Sequence, residues 1–400
     1  MISVGIDVSK GKSTVCILKP YGEIVSKPFE IAHIEKDLSE LTAMLLRFDD
    51  EVKVVMEATG IYHLPVLTYL QERNIFVSVI NPYLMKVYRS EDLRKAKTDK
   101  IDSRIIANYG IEHWFTMEEF QASNDVYGEL KLLGQQYRHY MKLHIMSLHE
   151  LTHILDYTMP GIKKMLASWN EENRKDKLSD FVEQFWHFDE ITNLSESEFI
   201  EKYKDWAKEK KYHQSQAKAQ TIYHLALESI PTLSSEIPSV KMLVTEAVRV
   251  LKEVDATLGT ILSRMKEIAK TLPEYPVVRE MGGVGEVLAP KLIAEVGDVR
   301  RFHSGKALIA YAGIDTPPYE SGQFVGSNRK ITKRGSAALR KVGYETMRCI
   351  KTHPRPEDPV YQYVIKKESE GKAKKAAKIA GLNKFLRIYY ARVKEVYDSI

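Results

Sequence analysis

Cysteine is almost missing: Cys16 and Cys349 are the only two among 400 residues, and they lie at opposite ends of the chain. Two such thiols build neither a zinc cluster nor a disulfide framework. Long apolar runs are missing as well. No stretch approaches the roughly 18 residues that a spanning helix needs. The opening MISVGIDVSKGKS meets an aspartate at position 7 and has neither the basic start nor the apolar centre of a signal peptide. These absences favour a cytoplasmic chain that works without a membrane. What is present is ordinary: 44% hydrophobic and 28% charged residues, enough to bury sizeable cores. Length alone suggests two or three domains.

The net charge of +5 is small but unevenly spread. Residues 329–351 hold Arg329, Lys330, Lys333, Arg334, Arg340, Lys341, Arg348 and Lys351 against one acid, Glu345. Residues 366–394 carry ten basic residues against Glu368 and Glu370. A solvated helix face can look like this, but blocks this dense favour a polyanionic partner, with nucleic acid first.

Along the first 110 residues, strand and helix signals alternate. Residues 2–7, 13–18 and 24–29 read as three strands, separated by Gly11 with Lys12 and by residues 20–22. Ile34, Leu38, Leu41 and Leu45 then repeat at helical spacing. Residues 52–56 form a buried strand, a helix follows near 62–73, and 77–80 is a further strand closed by Asn81 and Pro82. Residues 99–109 read as a helix. A three-strand meander followed by alternating helices and strands predicts an α/β domain with a mixed sheet.

From about 125 to 270 the strand signals fade. Leu133, Tyr137, Tyr140, Leu148, Leu151 and Leu155 have helical spacing, ended by Pro160 and Gly161. Val244, Ala247, Leu251, Val254, Leu258, Ile261, Met265 and Ile268 form a heptad seam. It fits either a stripe buried against the chain's own helices or a self-association coiled coil. Residues 161–240, polar and carrying Trp169, Trp186 and Trp206, read as helical without a role. A last domain begins near Leu272 with the glycine-rich turn at 281–285 between two helical stretches, and the basic blocks follow.

Four acids stand where chemistry is often placed. Asp7 ends the first strand, Glu57 ends the strand 52–56, and Asp99 and Asp102 lie three apart on one helix. If the two strands are neighbours, the four carboxylates converge, and their repulsion calls for cations. Oxygen ligands suit Mg²⁺ or Mn²⁺. Two such ions activate a nucleophile and stabilise the leaving oxygen of a phosphodiester. Each acid taken singly also reads as a surface or capping residue, Asp99 as the cap of its own helix.

The strings GIDVSKGKS, MEATGIYH, NPYLMKVYR and RKAKTDKIDSRIIA, in this order, resemble the N-terminal domain of the insertion sequence 110 family of transposases. The strings MGGVGEVLAPKLIAEVGDVRRF, LIAYAGIDTPPYESGQF and ITKRGSAALRKVGYETM resemble its C-terminal part. Residues 161–240 match least, as an insertion would. The resemblance implies a DEDD-type recombinase whose first domain, 1–120, is RuvC-like with a ribonuclease H-like fold. It further implies a helical, coiled-coil region at 121–271 and a mainly helical transposase domain at 272–400. The implied DEDD acids are Asp7, Glu57, Asp99 and Asp102, as Mg²⁺ or Mn²⁺ ligands.

In the last domain the turn at 282–285 resembles a helix-hairpin-helix, in which Gly283 and Gly285 let the backbone approach a phosphate. Such contacts, with those of Arg329, Lys330, Lys333, Arg334, Arg340 and Lys341, position nucleic acid without reading its sequence. The resemblance also implies a serine that attacks DNA and forms a phosphoserine. By motif position this is Ser321, with Ser327 and Ser336 as competitors. A serine hydroxyl needs a base and a neutralised phosphate to attack. The implied partners are DNA, a structured non-coding guide RNA bound by charge and shape, and further copies of the chain in a dimer or tetramer. Three rival readings remain: a junction resolvase or nuclease that uses water, a site-specific invertase of the same family, and a non-catalytic nucleic-acid-binding protein.

Overall fold

Runs of β-branched residues broken by short turns make the sheet of the first unit. β1 (Ile2–Ser9) and β2 (Lys12–Leu18) pair in antiparallel fashion through a two-residue turn, in which Gly11 takes a positive φ of 78°. β3 (Ile24–Ala32) adds antiparallel to β2, while β4 (Val52–Glu57) lies parallel to β1 and β5 (Val77–Ile80) parallel to β4. The order is β3-β2-β1-β4-β5. This is the expected mixed α/β arrangement, with α1 (Glu35–Leu45) and α2 (Leu64–Gln71) between strands. α3 (Pro82–Arg89), which the sequence reading did not anticipate, follows β5, and α4 (Asp99–Glu112) comes next. This computed structural model describes residues 1–89, 98–120, 125–166, 169–170, 175–316, 320–321, 324–325 and 330–400. Its chain divides into two compact units, Met1–Ala122 and Ser123–Ile400.

Side chains alternate across a strand, so each face of β1 meets a different layer. Val4, Ile6 and Val8 pack with Leu38, Leu41, Val66 and Leu70 from α1 and α2. Ser3 and Gly5 meet α4 instead. A methyl group on Gly5 would fall on the backbone of Ser103 and Ala107, and one on Gly110 would strike Ser3 and Val55. The absence of two β-carbons therefore lets α4 lie flush on the sheet.

The second unit is built on two long helices, α5 (Asp125–Thr158) and α11 (Pro238–Lys270). Tyr127, Leu130 and Tyr137 share a core with Leu258, Leu262 and Met265, while Leu151 and Leu155 share another with Val244, Val248 and Leu251. The pair is thus an antiparallel hairpin within one chain. The buried seam of α11 runs Val244, Val248, Leu251, Asp255, Leu258, Leu262, Met265 and Ala269, a strict alternation of four and three. It corrects the anticipated seam at three positions: Ala247, Val254 and Ile261 lie at its edge, whereas Ile268 is buried as anticipated, with Ala269 buried beside it. The cause is Asp255, a carboxylate that a hydrophobic pattern passes over. It is buried because His144 Nδ1 on α5 stands 2.6 Å from its Oδ1.

Residues 161–240 fold as a helical lobe at one end of this hairpin. It contains α6 (Ile162–Leu166), β6 (Trp169–Asn170) paired with β7 (Lys175–Asp176), α7 (Lys177–Gln184), α8 (Asp189–Thr192), α9 (Glu196–Glu209) and α10 (Gln216–Glu228). Phe181, Phe185, Phe199, Tyr203 and Trp206 fill its core. The indole N–H of Trp206 donates to the Asp180 carbonyl at 3.2 Å. Trp186 and Trp206 are thereby structural, and the Trp169 side chain lies outside the described atoms.

The remaining helices are α12 (Tyr275–Glu280), α13 (Leu288–Val296), α14 (Gly305–Ala312), α15 (Ala337–Thr352), α16 (Pro359–Ser369) and α17 (Lys374–Asp398). A short antiparallel pair, β8 (Glu320–Ser321) and β9 (Phe324–Val325), lies between α14 and α15. Among the described residues no helix is long and apolar enough to cross a membrane.

Candidate functional site

The packing of α4 on β1 brings the acids together. Gly110 lies over Ser3, and Ser103 with Ala107 lies over Gly5. Each step of two residues along the strand therefore matches about one helical turn in the opposite direction. Continuing that register puts Asp7 against Asp102 and Asp99. β1 and β4 run side by side, with Ile6 paired to Met56, so Asp7 and Glu57 end adjacent strands. Val55, two residues before Glu57, packs with Ile106 of α4, so Glu57 belongs to the same face. The cluster follows from strand alternation, two glycines and one helix register.

Its electrostatics follow from that crowding. Burial, then the charges of Asp102 and Asp99, push the Asp7 carboxyl up to about 6, and Arg89 pulls in the other direction. Asp102 is only 5% exposed and sits in the first turn of α4, where the positive end of the helix dipole favours an anion. Asp99 is exposed. It does not cap α4: Thr98 does, its side chain accepting from the Ile101 amide at 3.3 Å.

Arg89, at the end of α3, joins the acids. Its Nη2 donates to Glu57 Oε2 at 3.1 Å, and its Nε lies 3.6 Å from Asp102 Oδ1. That Nε is buried and has no hydrogen-bond partner. The guanidinium thus occupies the space between two carboxylates as a resident cation. Among the described residues no three Asp, Glu, His or Cys side chains are grouped closely enough to hold an ion as they stand. The donors are nevertheless all carboxylate oxygens, the type that hard divalent cations take. The chemistry of this donor set fits such an ion, with Arg89 as the cation now beside it. Only the spatial placement of α3 reveals Arg89; nothing in its sequence context signals the role.

The predicted residues of the C-terminal region sort into several surroundings. The β8–β9 pair carries Ser321, its Cα opposite that of Phe324; its side chain, with Ser327 and Arg329, lies outside the described atoms. Ser336 caps α15, its hydroxyl oxygen accepting from the Leu339 amide at 3.1 Å. Arg340 donates to the carbonyls of Ala312 and Gly335, at 2.9 and 3.1 Å, and braces the backbone. Lys330, Lys333, Arg334 and Lys341 are exposed, the first two along a basic cavity. In the turn between α12 and α13, Gly283 has a positive φ of 72° and fits against Thr346 and Ile350 of α15. Packing accounts for that glycine. Gly285 is exposed, with open space where a side chain would be.

Known proteins match both ends of the chain. Residues 4–160 match the DEDD transposase family of IS110, and residues 275–362 match the family described as Transposase IS116/IS110/IS902. The pilin gene-inverting protein of Moraxella bovis is 21% identical over 396 residues, covering 98% of this chain and 95% of that protein. The transposase for insertion sequence element IS1111A of Coxiella burnetii is 27% identical over 140 residues, 34% of this chain and 37% of that protein. A Thermus thermophilus RuvC structure aligns with 30% of this chain and 100% of its own, at 14% identity and a TM-score of 0.24. Two matches to one family, at both ends of the chain and together spanning more than half of it, make this chain a member of the IS110/IS116 transposases, enzymes that cut and rejoin DNA.

Proposed function

We propose that the chain is a two-part recombinase in which the acids around Asp7 and the hydroxyl of Ser321 act on the same phosphodiester. The observation that carries this reading is the gathering of Asp7, Glu57, Asp99 and Asp102 at one end of β1 and β4 beneath α4. Asp7, Glu57 and Asp102, with Asp99 at the rim, would hold Mg²⁺ or Mn²⁺. A divalent cation there supplies charge stabilisation to the oxygens of the scissile phosphate.

The covalent step belongs to serine. Ser321 Oγ bonds to phosphorus, the phosphorus–oxygen bond to one strand end breaks, and the serine proton passes to that departing oxygen. Attack by another strand's hydroxyl on the phosphoserine restores the serine and reseals DNA, so the bond is exchanged without net hydrolysis. The family match at 275–362, which contains Ser321, supports this assignment. Ser336 is already engaged as a helix cap, which weighs against the nearest described competitor.

A structured guide RNA and assembly into a dimer or tetramer belong to the same reading. Both rest on the family resemblance, and the unneutralised basic residues of the C-terminal helices suit the first. A second outcome of the same chemistry is site-specific inversion, favoured by the nearly full-length similarity to the pilin gene-inverting protein. Both outcomes need the acids. Asp102→Asn should abolish Mg²⁺-dependent strand cleavage while leaving the circular-dichroism spectrum unchanged. Retained cleavage would reduce Asp102 to a helix residue and remove the metal-site reading.

A further inference from the structure

A cavity of about 900 Å³ opens in the second unit, bounded by α16, α17 and the segment 330–333. Six cations line it: Lys330, Lys333, Lys372, Lys375, Lys384 and Arg387. No carboxylate belongs to its described lining. Some exposed cations elsewhere in this unit are matched, such as Arg249 with Glu246 and Glu253, or Arg264 with Glu129 and Glu267. Among the described residues none of the six lies in an ion pair. Like charges gathered in a concave site raise the local potential and concentrate anions there. The floor is apolar, formed by Ile314, Ile331, Ile379 and Ala380, with the ring of Tyr363 beside it and the Asn383 amide as a polar group. Lys384 Nζ stands 5.1 Å from the centre of that ring.

Resting on the reading that nucleic acid is the substrate, we propose that this cavity binds an unpaired stretch of polynucleotide, with bases on the floor and phosphates at the rim. Spacing argues against a single phosphate. Lys375 and Lys384 are nine residues apart on α17, roughly 14 Å at 1.5 Å per residue, which one phosphate cannot bridge and several consecutive ones can. The floor argues against a duplex. Paired bases keep their faces stacked inside the helix, so a duplex backbone would satisfy the cations and leave the apolar surface wet. An unpaired strand offers both faces and phosphates, as in single-strand grooves that combine a cationic track with stacking surfaces. DNA and RNA share this chemistry.

The test is fluorescence anisotropy on the full chain with labelled twelve-nucleotide single strands of DNA and RNA and the matching DNA duplex, over a salt series. Lys384→Ala with Arg387→Ala should weaken single-strand binding at least tenfold. It should also flatten the slope of log affinity against log salt by about 1.4, the value for two lost single-strand phosphate contacts. Ala376→Asp, at an exposed lining position, should weaken it similarly without emptying any core, while duplex affinity changes less than twofold in both. Tighter binding of the RNA strand would identify a guide RNA as the occupant, and equal or tighter DNA binding a displaced DNA strand. Equal losses on duplex and single strand would overturn the proposal in favour of a general backbone contact. Unchanged single-strand binding would overturn it outright. In both failures wild-type duplex binding persists, so the recombinase reading stands; a wild-type chain that binds no nucleic acid would sink that reading instead.

Discussion

Asp7 carries the electrostatic cost of the site. Its carboxyl titrates near 6 because burial and the neighbouring Asp102 and Asp99 resist its ionisation. With the folded pKa above the unfolded one, the folded state binds the proton more tightly. The resulting stabilisation is complete below the ordinary aspartate range and is lost as pH rises through about 6. Asp7→Asn imitates the protonated group. It should therefore raise metal-free stability at pH 7.5, by on the order of 1 kcal/mol after discounting for partial solvent screening. If the acids hold Mg²⁺ as proposed, the wild type should gain melting temperature in Mg²⁺ and Asp7→Asn should not. Thermal unfolding in EDTA and in Mg²⁺ reads both effects. A less stable variant, or one still stabilised by Mg²⁺, would show that Asp7 is not part of a cation site. The acids were legible in the sequence because carboxylates at the ends of buried strands break a hydrophobic pattern. Arg89 was not, since its partners come from β4 and α4 and meet it only in space.

At the scale of elements, the site depends on how closely α4 approaches β1. Gly5→Ala places a methyl group on the backbone of Ser103 and Ala107, neither of which can rotate away. The variant should lose about 1–3 kcal/mol of stability, the usual cost of overpacking, measured by urea denaturation of the full chain. It should also lose metal-dependent activity, because Asp99 and Asp102 move with the helix. Unaltered stability would mean that α4 shifts freely, and the register argument for the acids would fail. The mixed sheet and α4 were readable from period-two and period-3.6 patterns. The heptad seam was readable at Val244, Leu251, Leu258, Met265 and Ile268 but not at the positions between them, since a buried Asp255 paired with His144 is invisible to a hydrophobic rule. Likewise α3 was overlooked, its apolar residues Leu84 and Val87 being exposed and only Met85 buried.

On the scale of the whole molecule, the acid cluster and the basic cavity belong to different units. The acids lie in Met1–Ala122, whereas the serine-bearing β8–β9 pair and the basic cavity lie in Ser123–Ile400. The charge blocks announced a polyanion in the sequence, yet they could not say which cations share a concavity. Lys330 and Lys333 come together with Lys375, Lys384 and Arg387 of α17, far along the chain, while Arg340 is held by backbone carbonyls. The lobe at 161–240 likewise read as helical in the sequence but with no legible purpose, because Trp186 and Trp206 are core. It lies between the two stretches that match the family, 4–160 and 275–362.

The central claim is that one phosphodiester is handled by a serine and an acid cluster together. The most direct measurement is recovery of a covalent protein–DNA adduct. The chain, co-expressed with the RNA from its own element, is mixed with cognate DNA and Mg²⁺, then denatured, digested and analysed by mass spectrometry. A DNA-linked peptide containing Ser321 is predicted, absent in Ser321→Ala, strongly reduced in Asp7→Ala and retained in Ser336→Ala. Cleaved DNA without any adduct would contradict the account and leave a nuclease that uses water.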